Sequence, residues 1–195
     1  PEATYAAGRT GDLYKNKALT KADRHIYFVH DQDHPYAVVF DDMEADGQQH
    51  DYTWMLQGVN SHGFMMSGEG IEIDVTGDHP VITDNQTGWK MRVVMFAAET
   101  PEFSSDVKEI RWNRTARAVP HPRLLATIRT QEAPAILTAL LPYKEGTPVP
   151  RIERVSSHAL RLEWADCIDL IAFGPARTGE AETQGRDFVR TPKGK

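Results

Sequence analysis

The chain has 195 residues, enough for one sizeable core or a large sandwich with appended edges, and a formal charge of −6. Apolar residues make up 40 % of it, which excludes a compositionally disordered chain, and no apolar run approaches the length of a membrane-spanning helix. A single cysteine, Cys167, excludes an internal disulfide framework.

The opening Pro1-Glu2-Ala3-Thr4 has neither an initiator methionine nor the charged start and apolar stretch of a secretion signal, so a processed chain or a piece of a longer one is expected. Ile26-Tyr27-Phe28-Val29 and Tyr36-Ala37-Val38-Val39-Phe40 are apolar at every position, which predicts central strands covered on both sides. Asp31-Gln32-Asp33-His34-Pro35 and Glu44-Ala45-Asp46-Gly47 punctuate them as turns. His50-Asp51-Tyr52-Thr53-Trp54 leads a further strand. Ile71, Ile73 and Val75 alternate with Glu72, Asp74 and Thr76, and turns follow at 77–80 and 84–88. Trp89, Met91, Val93 and Met95 share one face of the next segment, with Lys90 and Arg92 on the other. Ala133-Pro134-Ala135-Ile136-Leu137-Thr138-Ala139-Leu140-Leu141 has good helix formers with proline near its start, which suggests a short helix stopped by Pro142. Leu160, Leu162 and Trp164 alternate with Arg161 and Glu163. The run Cys167–Phe173 reads as a buried strand, with Cys167 a small core hydrophobe rather than a nucleophile. From Gly174 onward the composition turns to Gly, Thr, Glu and Arg. The expected organisation is one antiparallel β-sandwich domain over residues 1–175, with few or no helices, and a loosely ordered tail over 176–195.

The charge pattern reverses locally. Between Ile110 and Gln131 lie five arginines (Arg111, Arg114, Arg117, Arg123 and Arg129) and His121, with no acid. A basic stretch on an acidic protein suits an acidic polysaccharide, with neither nucleic acid nor membrane as the expected partner. The other reading is that these arginines lie on separate strands and pair with local carboxylates.

Three histidine groups invite chemistry. His30, Asp31, Asp33 and His34 crowd one turn, with Asp41 and Asp42 one strand later, but their spacing matches no zinc signature and turns collect polar residues anyway. His50, Tyr52 and Trp54 project from one strand face. His50 and Tyr52 can serve as base and acid, with Trp54 as a flat surface for a sugar ring; the competing reading packs all three beneath the sheet. His62 follows in the loop Gly58–Gly63 as a binding candidate. No phosphate-cradling glycine loop, G-x-S-x-G elbow or H-E-x-x-H is present.

The order of blocks resembles a known family. Arg9–Tyr14, Asp23–Val29, Pro35–Asp42 and His50–Gln57, with the later Ala135–Tyr143, are similar to the C-terminal β-rich region of heparinase II/III-like polysaccharide lyases and alginate-lyase relatives. The resemblance implies a supersandwich-like β domain following an α-helical toroid, and makes the ambiguous segment 133–141 a strand. It implies β-elimination of uronate polysaccharides by the whole enzyme. It also implies a periplasmic or extracellular location and a possible divalent metal in the parent enzyme. The principal catalytic residues of the family come from the toroid, and its H-x-H motif at the start of the β region has no counterpart here. By itself the chain is therefore expected to be inactive, supporting the toroid and closing one wall of a glycan cleft. The expected site residues are His50 and Tyr52 as catalytic candidates, and Trp54, His62, Arg111, Arg114, Arg117 and Arg123 for substrate. The alternatives are a non-catalytic carbohydrate-binding module and a purely structural or oligomerisation domain.

Overall fold

The computed structural model describes residues 2–9, 19–58, 68–111, 118–174, 176–178, 181–183 and 185–194. In chain order its strands begin with β1 (Glu2–Arg9), β2 (Leu19–His30), β3 (Tyr36–Ala45), β4 (His50–Gln57), β5 (Ile71–Asp74) and β6 (Val81–Asp84). They continue with β7 (Trp89–Phe96), β8 (Glu102–Ile110), β9 (Val119–Thr130), β10 (Ile136–Tyr143) and β11 (Arg151–Ser156). Last come β12 (Ala159–Glu163), β13 (Cys167–Phe173), β14 (Ala176–Thr178), β15 (Ala181–Thr183) and β16 (Arg186–Pro192). No helix occurs among the described residues. The fold is all-β and every ladder is antiparallel.

A seven-stranded sheet in the order β1-β2-β3-β10-β7-β6-β5 forms the middle layer. Strand alternation explains how it is covered on both faces. Leu137, Ala139 and Leu141 of β10 point one way and share a core with Tyr36, Val38 and Phe40 of β3 and with Leu160, Leu162, Cys167 and Ile171 of a four-stranded sheet, β11-β12-β13-β16. Ile136 points the other way, packing with Val93 and Met95 of β7 against Trp54, Leu124, Ala126 and Ile128 of a three-stranded sheet, β4-β9-β8. The result is a three-layer sandwich with a core between each pair of layers and a smaller cluster of Ala159, Leu170 and Ala172 on the other face of the four-stranded sheet. Full burial of side chains such as Leu137 and Leu124 contributes about 1.5–3 kcal/mol each.

Several expectations change. Residues 136–143 are strand, as the family resemblance implies, and the short-helix reading fails. β10 has neighbours on both edges and buried residues on both faces, so tertiary packing overrides the helix formers. Pro142 sits beyond Leu140, the last residue that pairs with β3, where one edge of the strand is already free. Tyr36–Phe40 is a central strand as expected. Ile26–Val29 is covered on one face only, and Phe28 is 45 % exposed, because the three-stranded sheet packs over β10, β7, β6 and β5 and not over β2.

The stretch expected to be a loose tail differs most. Arg186–Pro192 pairs along its whole length with β13, from Cys167↔Pro192 to Phe173↔Arg186. What holds it is Arg190, whose guanidinium grips the fully buried Asp169 through Nε–Oδ1 at 2.5 Å and Nη2–Oδ2 at 2.6 Å. Tyr36 donates its hydroxyl to the same carboxylate at 2.7 Å, and Arg190 also bonds Asp31. This network ties both large sheets together at one end of the sandwich.

Candidate functional site

The residues singled out by sequence meet on the three-stranded sheet. β4 pairs with β9 from His50↔Thr130 to Gln57↔Arg123, and β8 flanks β9 on its other edge. The even-numbered residues of β4 face inward. Tyr52, Trp54 and Leu56 outweigh Met55, the one apolar residue on the outward side of that strand, so the register that buries them is the stable one. Trp54 is 5 % exposed and lies in the core with Ile82 and Leu124. Its indole therefore offers no open face, which corrects its assignment as a sugar platform. Tyr52 is buried as well, and its hydroxyl has no partner among the described residues. Burial, with Asp46 nearby, pushes its phenol above the ordinary value, which disfavours ionisation. His50 stands at the rim, edge-on to the Tyr52 ring at 6.0 Å, and donates from Nε2 to Asp46 Oδ1 at 2.9 Å. The two candidates are adjacent as expected, but they look into the sandwich.

The outward face carries the polar chemistry. Gln57, Arg123 and Asp106 form one rung across β4, β9 and β8. Arg123 holds Asp106 with Nε–Oδ1 at 2.7 Å and a second contact through Nη2. That ion pair keeps the Asp106 carboxyl below its ordinary range. Arg129, farther along the same face, lies 3.5 Å from Asp51, and Arg111 is exposed just past β8. Two of the described arginines thus pair with carboxylates across strands, as the alternative reading of the basic stretch has it. Arg114, Arg117 and His62 lie outside the described residues.

His121 is the residue that sequence reasoning left unassigned. It lies on the outward face of β9, two residues from Arg123 and opposite Lys108, yet is only 3 % exposed. Gln57 donates its amide to His121 Nδ1 at 2.5 Å, so Nε2 carries the proton, and that nitrogen has no partner among the described residues. The backbone around it is clamped. Gly58 N donates to Pro122 O and Gly68 N to Pro120 O, each at 2.8 Å. At Gly68 a Cβ would lie 2.1 Å from the Pro122 ring, so only glycine permits this approach.

The crowded turn after β2 does not gather its own side chains. His30 shares a hydrogen bond with Thr4 at 2.9 Å, and Asp41 and Asp42 are engaged by Arg24 and Lys21, each at 2.6 Å. Burial works to raise the Asp31 carboxyl, but N–H bonds from His34 and Asp33 together with Arg190 outweigh it and hold it at about 2. His34 turns away to stack on Trp164, with ring centroids 4.1 Å apart. Cys167 is a core thiol, which burial pushes up to about 11.

No family model matches the chain, and no curated protein does. Solved structures do match. A heparinase III gene product aligns at 12 % identity and TM-score 0.54, over 99 % of this chain and 26 % of its own. A second heparinase III structure aligns at 11 % and 0.53, over 98 % and 26 %. The heparan sulfate lyase HepC from Pedobacter heparinus gives 11 % and 0.54, again over 98 % and 26 %. The chain thus spans about a quarter of the length of each. At these identities the likeness is one of fold: this chain has the three-layer β architecture of one portion of the heparinase III chains.

Proposed function

We propose that the chain is the C-terminal β-sandwich of a heparinase II/III-like polysaccharide lyase, acting outside the cytoplasm on a uronate-containing glycan. The observation that carries this reading is coverage: nearly the whole chain superposes on a quarter of each heparinase III structure, leaving the remaining three quarters of those proteins without a counterpart here. In this reading the sandwich supports an upstream helical toroid, and the outward face of β4-β9-β8 forms part of the glycan cleft. Arg123 and Arg129 put cations on that face of a rigid sheet, backed by the buried His121–Gln57 pair. Elimination itself requires residues from the toroid. The test is retention of the isolated chain on immobilised heparan sulfate and alginate at low and moderate salt, with turnover followed by absorbance of the unsaturated product. The reading expects salt-sensitive retention, weakened in Arg123→Ala, and no turnover. Turnover by the chain alone, or the absence of retention at both salts, overturns it.

One observation favours a second reading, a free-standing carbohydrate-binding module. Trp89 at the start of β7 is 45 % exposed. The Lys144 ammonium lies 5.1 Å from its ring centroid. That is an exposed aromatic ring with a cation beside it, suited to an acidic sugar. Retention that disappears in Trp89→Ala and survives in Arg123→Ala selects this module.

A further inference from the structure

Two turns far apart in the chain bring three different metal-ligating side chains together at one end of the sandwich. His34 comes from the turn between β2 and β3. Asp166 comes from the turn between β12 and β13, and Cys167 opens β13. Their nearest donor atoms all lie within 4.8 Å of one another, and His34 Nε2 is 3.1 Å from Asp166 Oδ1. We propose that His34, Asp166 and Cys167 form a binding site for one zinc-class divalent cation, which clips the central sheet to the four-stranded sheet.

Geometry supports this in three ways. A tetrahedral centre with bonds of about 2.0–2.3 Å separates its donors by roughly 3.3–3.7 Å, so the observed spacing needs only side-chain rotation to close. The donors are also held in place before any ion arrives. Asp31 Oδ1 accepts the backbone N–H groups of Asp33 and His34 at 2.8 and 3.0 Å, which fixes the first turn. The His34 ring lies flat against Trp164, with 16° between the planes. In the second turn Trp164 N donates to Cys167 O at 2.9 Å, and Lys193 N to Asp166 O at 2.8 Å. Lastly, the site is closed on the protein side and open on the other. Cys167 belongs to the core, whereas the Asp166 side chain is 71 % exposed.

The donor set selects the ion. A thiol, an imidazole and one carboxylate suit zinc, whereas calcium and magnesium want oxygen throughout. On coordination the thiol gives its proton to solvent and binds as thiolate. The charge of the ion then replaces the His34–Asp166 hydrogen bond as the link between the turns. These residues are not the H-x-H motif that the family resemblance would put at the start of the β region, and the site does not depend on the glycan reading. As a structural clip it would resist thermal opening of that end of the sandwich.

The test uses the whole chain, stripped with a chelator and titrated with Zn²⁺ by calorimetry and with Co²⁺ by absorption. One ion per chain is expected, with a thiolate-to-cobalt charge-transfer band, quenching of Trp164 fluorescence and a zinc-dependent rise in Tm. Cys167→Ser should abolish the band. Asp166→Asn, at a 71 % exposed side chain whose amide oxygen can still accept from His34, should weaken Zn²⁺ binding roughly tenfold or more while changing the metal-free Tm little. Absence of stoichiometric binding overturns the proposal, as does binding that survives both changes.

Discussion

Removing the guanidinium of Arg190 should be among the most damaging single changes in the molecule. Asp169 is fully buried, and its carboxylate depends on two bonds from Arg190 and one from Tyr36. In Arg190→Ala the Tyr36 hydroxyl remains, but the buried charge loses its only close cation in the network. Breaking a buried pair in this way costs about 3–5 kcal/mol. For a chain of this length each kcal/mol lowers Tm by about 2–4 °C, so a fall of roughly 6–20 °C is expected. Removing all the partners together should be milder, because the desolvation penalty goes with them. The triple change Tyr36→Phe, Asp169→Leu, Arg190→Met should therefore lose less than Arg190→Ala alone. Urea unfolding followed by tryptophan fluorescence measures both. A cost below about 1 kcal/mol for Arg190→Ala would refute the argument, and with it the docking of β16 through this contact.

Further predictions follow from individual sites. Trp54→Ala should cost about 3–5 kcal/mol in urea unfolding, as a core cavity does; a cost of a few tenths would mean the indole is at the surface after all. Asp31 has its folded value at about 2, below the ordinary 3.8, so its contribution to stability is present above pH 4 and lost as pH falls toward 2. Asp31→Asn should accordingly flatten the acid limb of stability in that window, and an unchanged limb in pH-dependent thermal unfolding would contradict this. Gly68→Ala should destabilise the chain measurably, since its Cβ would press on backbone as well as on Pro122. Amide exchange at Gly58 and Gly68 reports whether the clamp on β9 opens.

The faces of most strands were legible because they alternate. Ile71, Ile73, Leu160 and Leu162 all turn toward the cores that their parity predicts. Legibility failed where alternation stops. Residues 136–141 are buried on both faces, so no period remains to distinguish strand from helix, and Ala, Leu and Thr do not decide it. The polar Arg186–Pro192 stretch looked loose because its anchor is an ion pair to Asp169, and pairing across the chain leaves no local signal. The same limit applies to the site. Parity alone puts His50, Tyr52 and Trp54 on one face, but which face meets the core depends on the sheet opposite. For His121 a usable signal existed: Arg123 and Arg129 share its odd-numbered parity, which puts all three on one side of a strand. The meeting of His34 with Asp166 and Cys167 joins residues more than a hundred positions apart, and the sequence holds no trace of it.

The most direct test of the glycan reading is hydrogen exchange of the isolated chain with and without a heparan sulfate oligosaccharide, read at peptide resolution. The account predicts added protection in peptides covering Glu102–Ile110 and Val119–Thr130, around Arg123 and Arg129. Protection confined to peptides around Trp89 and Tyr143, or none anywhere at saturating oligosaccharide, would contradict a glycan-facing role for the three-stranded sheet.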